Sequence, residues 1–178
     1  MQNFKLLVPE QFVKPLRAAI QNRQSILIVG KTGSGKTLLL NALAEGAAAL
    51  FPAEQIAVLR DTAERVKTKL ANLASRTDLR HMTPELQRSI KGVFVDEFVN
   101  ELRANEVTGF LKALNTGHFG AVAVYGSTIE QGFHRLQSLL NTRNTPSDSI
   151  DLAVLMERTA QGPRVTKIQT KTQASQRA

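Results

Sequence analysis

The residues from Gly30 to Thr37, Gly-Lys-Thr-Gly-Ser-Gly-Lys-Thr, put three glycines, two lysines and three hydroxyl side chains into eight positions. Gly30, Gly35, Lys36 and Thr37 meet the spacing G-x-x-x-x-G-K-[ST], whose chemistry is the binding of nucleotide phosphates. Glycines let successive backbone N–H groups converge on anionic oxygens, and a helix starting within the loop adds partial positive charge. Lys36 is the residue to reach the β/γ oxygens and Thr37 the residue to coordinate Mg²⁺ directly. Lys31, Thr32, Gly33, Ser34 and Leu38 complete the expected contact surface.

Such a loop needs one carboxylate to hold Mg²⁺ through water and a second to orient an attacking water. Asp96-Glu97 follows the apolar run Gly92-Val93-Phe94-Val95 and has that form, with Asp96 on the magnesium and Glu97 as the catalytic acid. Burying adjacent acids is costly without a cation or polar partner, which also points to a site. Asp61 and Glu64 follow another apolar run. With His118 they are expected to bring further polar groups to the same sheet edge, although each alone also reads as a helix cap.

The elements that must position these groups alternate in type. Gln24 to Val29 is a short β-branched run ending at Gly30, the pattern of a buried parallel strand. The helix behind the loop carries Leu38, Leu39, Leu40, Ala42 and Leu43 and stops before Phe51-Pro52. Further strands are expected at 56–59, 92–98 and 121–125. Helices are expected over 63–75, from Thr83-Pro84-Glu85 to Lys91-Gly92, along Val107, Phe110, Leu111 and Leu114, and behind a capping box at Ser127 to Glu130. Residues 141–149 are rich in turn formers. Ile150 to Met156 and Arg164 to Ile168 read as a hairpin joined across 159–163. The predicted fold is α/β, a largely parallel sheet with flanking helices and a C-terminal antiparallel hairpin. One domain is expected over 1–168: an entry segment to 23, a nucleotide-binding core over 24–140 and the closing hairpin over 150–168. A polar, basic tail follows at 169–178.

Bulk composition bounds the rest. The chain has 178 residues, 42% apolar and 21% charged, which suits one globular domain. It has no cysteine, which excludes disulfides and thiolate metal sites. No apolar run approaches the roughly 20 residues of a membrane helix, and a cytoplasmic location is expected. A net charge of +8 favours anionic partners. With one tyrosine and no tryptophan for base stacking, nucleic acid is compatible as a partner and not required.

These residues resemble a known family, the traffic ATPases of type IV secretion and conjugative transfer, nearest its TrbB-like branch, with PilT-like pilus motors as cousins. The resemblance covers nearly the whole chain. Thr32 to Thr37 with Leu40-Asn41-Ala42-Leu43 is similar to the family's nucleotide loop, and Asp61-Thr62 with Glu64 to its Asp box. Leu111-Lys112-Ala113 and Asn115-Thr116-Gly117-His118 are similar to its His box. Asp151-Leu152, Glu157-Arg158 and Gly162 are similar to its closing hairpin. Lys31 replaces a glycine of the family pattern, Arg60-Asp61 replaces Glu-Asp, and Tyr125 falls on the second His-box histidine. Counting back without gaps from Asn115 to His118 places the family's Glu-x-Arg on Glu101 and Arg103, so Glu101 is the alternative to Glu97.

The resemblance implies a RecA-like P-loop fold and hydrolysis of ATP with Mg²⁺. It also implies a homo-oligomeric ring, a hexamer, working with secretion or conjugation components at the inner membrane face. A pilus-type motor, a DNA-translocating ATPase and an ATP-binding switch with weak hydrolysis are the alternatives. The family carries an N-terminal domain before its motor domain, and this chain is expected to start at that junction.

Overall fold

A computed structural model describes residues 2–52, 55–59, 90–96, 113–114, 117–140 and 146–171. The helices expected over 63–75 and from Thr83, most of the one before Asn115, and the tail from 172 lie outside the described residues, as do Asp61, Glu64, Glu97, Glu101 and Arg103.

The entry segment folds as two helices, α1 (Gln2–Leu7) and α2 (Glu10–Gln21). In α2, Leu16, Ala19 and Ile20 are buried, the spacing of one helix face. The chain leaves α2 through Arg23 in the left-handed region (φ 54), with the Gln24 N–H on the Ala19 carbonyl at 2.8 Å. The Arg23 guanidinium lies 4.9 Å from the centre of the Phe51 ring, a cation–π contact.

Among the described residues six strands form one sheet: β1 (Ser25–Gly30), β2 (Ile56–Leu59), β3 (Gly92–Val95), β4 (Phe119–Tyr125), β5 (Leu152–Thr159) and β6 (Gly162–Thr170). Their order is β2-β3-β4-β1-β5-β6, parallel throughout except for the antiparallel β5–β6 hairpin. The central β1 is buried along its whole length, as a strand covered on both faces must be. Its alternation splits the core. Ile26 and Ile28 face a cluster with Leu16, Leu39, Leu43 and Phe94, on the side of α1, α2 and α3 (Lys36–Ala48). Leu27 and Val29 face a cluster with Val122, Val124, Ile129 and Leu136, on the side of α4 (Ile129–Leu140).

At the start of β1, Ser25 donates its N–H to Asp151 Oδ2 at 2.8 Å, and its hydroxyl lies 2.6 Å from the Ser149 carbonyl. This ties β1 to β5. Helix α4 packs tightly on β1, because a Cβ at Gly132 would stand 2.9 Å from Val29 Cγ1.

Local expectations shift in several places. The hairpin strands lie at Leu152–Thr159 and Gly162–Thr170, so only Ala160 and Gln161 join them and β6 runs into the segment expected as tail. Strand β3 stops at Val95, so Asp96 sits just past it with its carboxylate committed to a side chain. Strand β4 begins at Phe119, two residues early. The capping box lies one residue later, with Gln131 N–H on Thr128 Oγ1 and Gln131 Oε1 accepting from the Ser127 N–H. Within the expected 141–149 loop, Pro146–Ser149 forms a 3-10 turn.

Candidate active site

The chain passes from β1 to α3 through the glycine-rich loop. Gly33 and Gly35 have φ of 75° and 92°, the left-handed region in which a side chain is strained. Gly35 is the N-cap of α3, and Lys36 and Thr37 form its first turn. Their backbone N–H groups therefore lie at the positive end of the helix.

Lys36 is only 3% exposed, and its ammonium donates to the Lys31 carbonyl at 2.9 Å. The same carbonyl accepts the Ser34 N–H at 3.1 Å. The Thr37 hydroxyl donates to Asp96 Oδ1 at 2.9 Å, and Asp96 is itself buried at 7% exposure. Hydroxyl and carboxylate oxygens side by side are the hard donor set that Mg²⁺ takes. The Ser34 hydroxyl, 2% exposed, has no hydrogen-bond partner among the described residues. It lies on the side of Gly30 that faces Met156, a buried hydroxyl with its hydrogen-bonding capacity unused. Loop, ammonium and oxygen pair together fit a magnesium-bound nucleotide.

The sheet register places the other described groups. Tyr125 pairs with Gly30 across β4–β1 and is 49% exposed, so it stands beside the loop. Met156 pairs with Gly30 from the other side. His118 does not join this edge, which corrects the expectation that it would. It precedes β4, whose Gly120 pairs with Ser25 at the far end of β1. At about 3.3 Å per residue, His118 lies roughly 23 Å from Tyr125. Its Nδ1 is 3.1 Å from the Ala113 carbonyl, so it closes the end of the preceding helical turn.

Two neighbours of the loop come from the hairpin and had no local sequence signal. A Cβ at Gly35 would stand 2.6 Å from Pro163 Cβ and 3.2 Å from Met156 Cε, and one at Gly30 2.6 Å from the Met156 carbonyl oxygen. Close approach therefore requires glycine at both positions, and at Gly35 the left-handed backbone requires it as well.

Comparison with known proteins follows the same lines. The chain is 30% identical over 171 residues to "Conjugal transfer protein TrbB" of Rhizobium radiobacter, covering 91% of this chain and 53% of that protein. It is 33% identical over 161 residues to "Probable conjugal transfer protein TrbB" of Sinorhizobium fredii, covering 86% and 50%. The chain thus spans about half the length of these relatives. Among solved structures, the VirB11 ATPase of the Brucella suis type IV secretion system, in complex with sulphate, superposes with a TM-score of 0.68 at 20% identity. That match covers 94% of this chain and 55% of the other, and shows the shared fold. The profile of the family described as "Type II/IV secretion system protein" matches residues 4–176. With the phosphate loop, the sheet order and this match over nearly its full length, the chain belongs to the type II/IV secretion system protein family.

Proposed function

We propose that the chain is the ATP-hydrolysing module of a type IV secretion or conjugative transfer machine, working as one subunit of a homo-oligomeric ring, a hexamer. The observation that carries this reading is the meeting of buried Lys36 and half-buried Thr37, on the phosphate loop, with buried Asp96 just past β3. Lys36 rests on a neutral carbonyl acceptor, and exchanging it for a phosphate oxygen adds an opposite charge on the acceptor to a bond whose donor is already ionised. The ammonium stays hydrogen-bonded throughout, so the exchange strands no buried charge. Thr37 is positioned to hold Mg²⁺ directly and Asp96 through water. Mg²⁺, when bound, neutralises charge on the phosphate oxygens. Glu97 is proposed to orient the attacking water, with Glu101 as the alternative. Asp61, Glu64, Arg103 and Tyr125 are accessory groups.

The relatives' names support the pathway, and the partners proposed are further copies of this chain and machine components at the inner membrane face. Among the described residues no helix is long and apolar enough to cross a membrane. A cytoplasmic location is proposed, with nucleic acid not required. A second reading, a nucleotide-controlled switch with weak hydrolysis, is favoured by Tyr125. It puts a phenol beside Gly30 where the family's second His-box histidine is expected. Steady-state phosphate release separates the two. Calorimetric titration with a non-hydrolysable ATP analogue and Mg²⁺ tests the site itself. Binding is expected, with most of it lost in Lys36→Ala; undiminished binding by that variant would refute the assignment.

A further inference from the structure

The phosphate loop is braced on one side and open on the other. A Cβ at Gly33 would meet nothing within 4 Å. Towards the hairpin there is no room for even a methyl group at either anchor of the loop, Gly30 at its start or Gly35 at its end. The bracing atoms belong to Met156 on β5 and Pro163 on β6, more than 120 positions away in the chain. Two further features suit them to that task. The β5–β6 register shifts between Leu155 and Met156, an irregularity of the kind that re-aims a side chain beside a functional site. The nearest atom of Pro163 is its Cβ, which is fixed to the backbone and cannot swing aside as the far end of a flexible side chain would.

We propose that Pro163, with Met156, is a positioning residue for the nucleotide: it presses on Gly35 and so holds the left-handed cap that aims Lys36 into the loop. The inference rests on the nucleotide reading of this site. Coupling of this kind is reciprocal. If the brace favours the loop geometry that binds nucleotide, bound nucleotide must in turn stabilise the β5–β6 hairpin. The hairpin then reports the state of the site to whatever the protein meets there. Its end carries exposed Glu157 and Arg158, and a half-buried Arg164 whose Nε has no hydrogen-bond partner among the described residues.

Two variants and two readouts test this on the full chain. Pro163→Gly removes the atom against Gly35, whereas Pro163→Ala keeps a Cβ there. Affinity for a non-hydrolysable ATP analogue with Mg²⁺ is expected to weaken roughly tenfold in Pro163→Gly and to be largely retained in Pro163→Ala. Hydrogen exchange of the amides over 157–165 should slow on adding the analogue to the wild type and to Pro163→Ala, and not in Pro163→Gly. Wild-type affinity in Pro163→Gly, or hairpin exchange that ignores the nucleotide in the wild type, overturns the inference while leaving the site reading intact. A wild type that binds no analogue at all overturns the site reading, and the inference with it.

Discussion

Adding one methyl group at either of two glycines, Gly33→Ala or Gly35→Ala, separates backbone strain from close packing in the phosphate loop. Both residues are left-handed, so either substitution incurs about 1–2 kcal/mol of local strain. For Gly33 the cost ends there, because its Cβ would enter open space. For Gly35 the new Cβ would stand 2.6 Å from Pro163 Cβ, a contact that must be relieved by moving the hairpin or the start of α3. Overpacking of this sort adds about 1–3 kcal/mol. The totals are therefore about 1–2 kcal/mol at Gly33 and about 2–5 kcal/mol at Gly35. At about 2–4 °C per kcal/mol for a domain of this size, Gly33→Ala should lower Tm by roughly 2–8 °C and Gly35→Ala by roughly 4–20 °C. Thermal unfolding followed by circular dichroism, with both variants in one buffer, reads the difference. Equal losses, or a larger loss at Gly33, would refute the packing argument.

Asp96→Asn keeps an oxygen able to accept the Thr37 hydroxyl but removes the charge that serves Mg²⁺. Titration should show nucleotide binding that no longer strengthens when Mg²⁺ is added. Glu97→Gln should retain binding and lower kcat by about two or more orders of magnitude, with Glu101→Gln mild; the reverse ranking would assign the role to Glu101. Gly132→Ala should destabilise by about 1–3 kcal/mol through its clash with Val29, and chemical denaturation should show Val29→Ala recovering part of that loss in the double variant.

What was legible in the sequence is what depends on neighbours in the chain. The phosphate loop, the strand before it and the helix behind it are all local, and Lys36 and Thr37 stand in the first turn of that helix, where their spacing puts them. The place of Asp96 beside the loop was legible too, because an acid ending an apolar run needs a polar partner, and Thr37 is that partner. The strand limits were less so: β3 was expected to run through Phe98, and its pairing with β2 and β4 ends at Val95. His118 was placed at the wrong edge although a signal existed. Gly30 ends β1 and Asp96 follows β3, whereas His118 precedes β4, and in a parallel sheet those are opposite ends. Met156 and Pro163 could not be found at all. Their place beside the loop depends on the β1–β5 register and on the shift at Met156, which no local pattern encodes.

The central claim is that the constellation of Lys36, Thr37 and Asp96 binds and hydrolyses ATP, and steady-state phosphate release tests it most directly. Wild-type protein and Lys36→Ala, each shown folded by circular dichroism, should be compared at several protein concentrations with and without Mg²⁺. The account predicts Mg²⁺-dependent release by the wild type, rising in specific activity with protein concentration as a ring assembles, and none above background from Lys36→Ala. Equal release by the two proteins would contradict it.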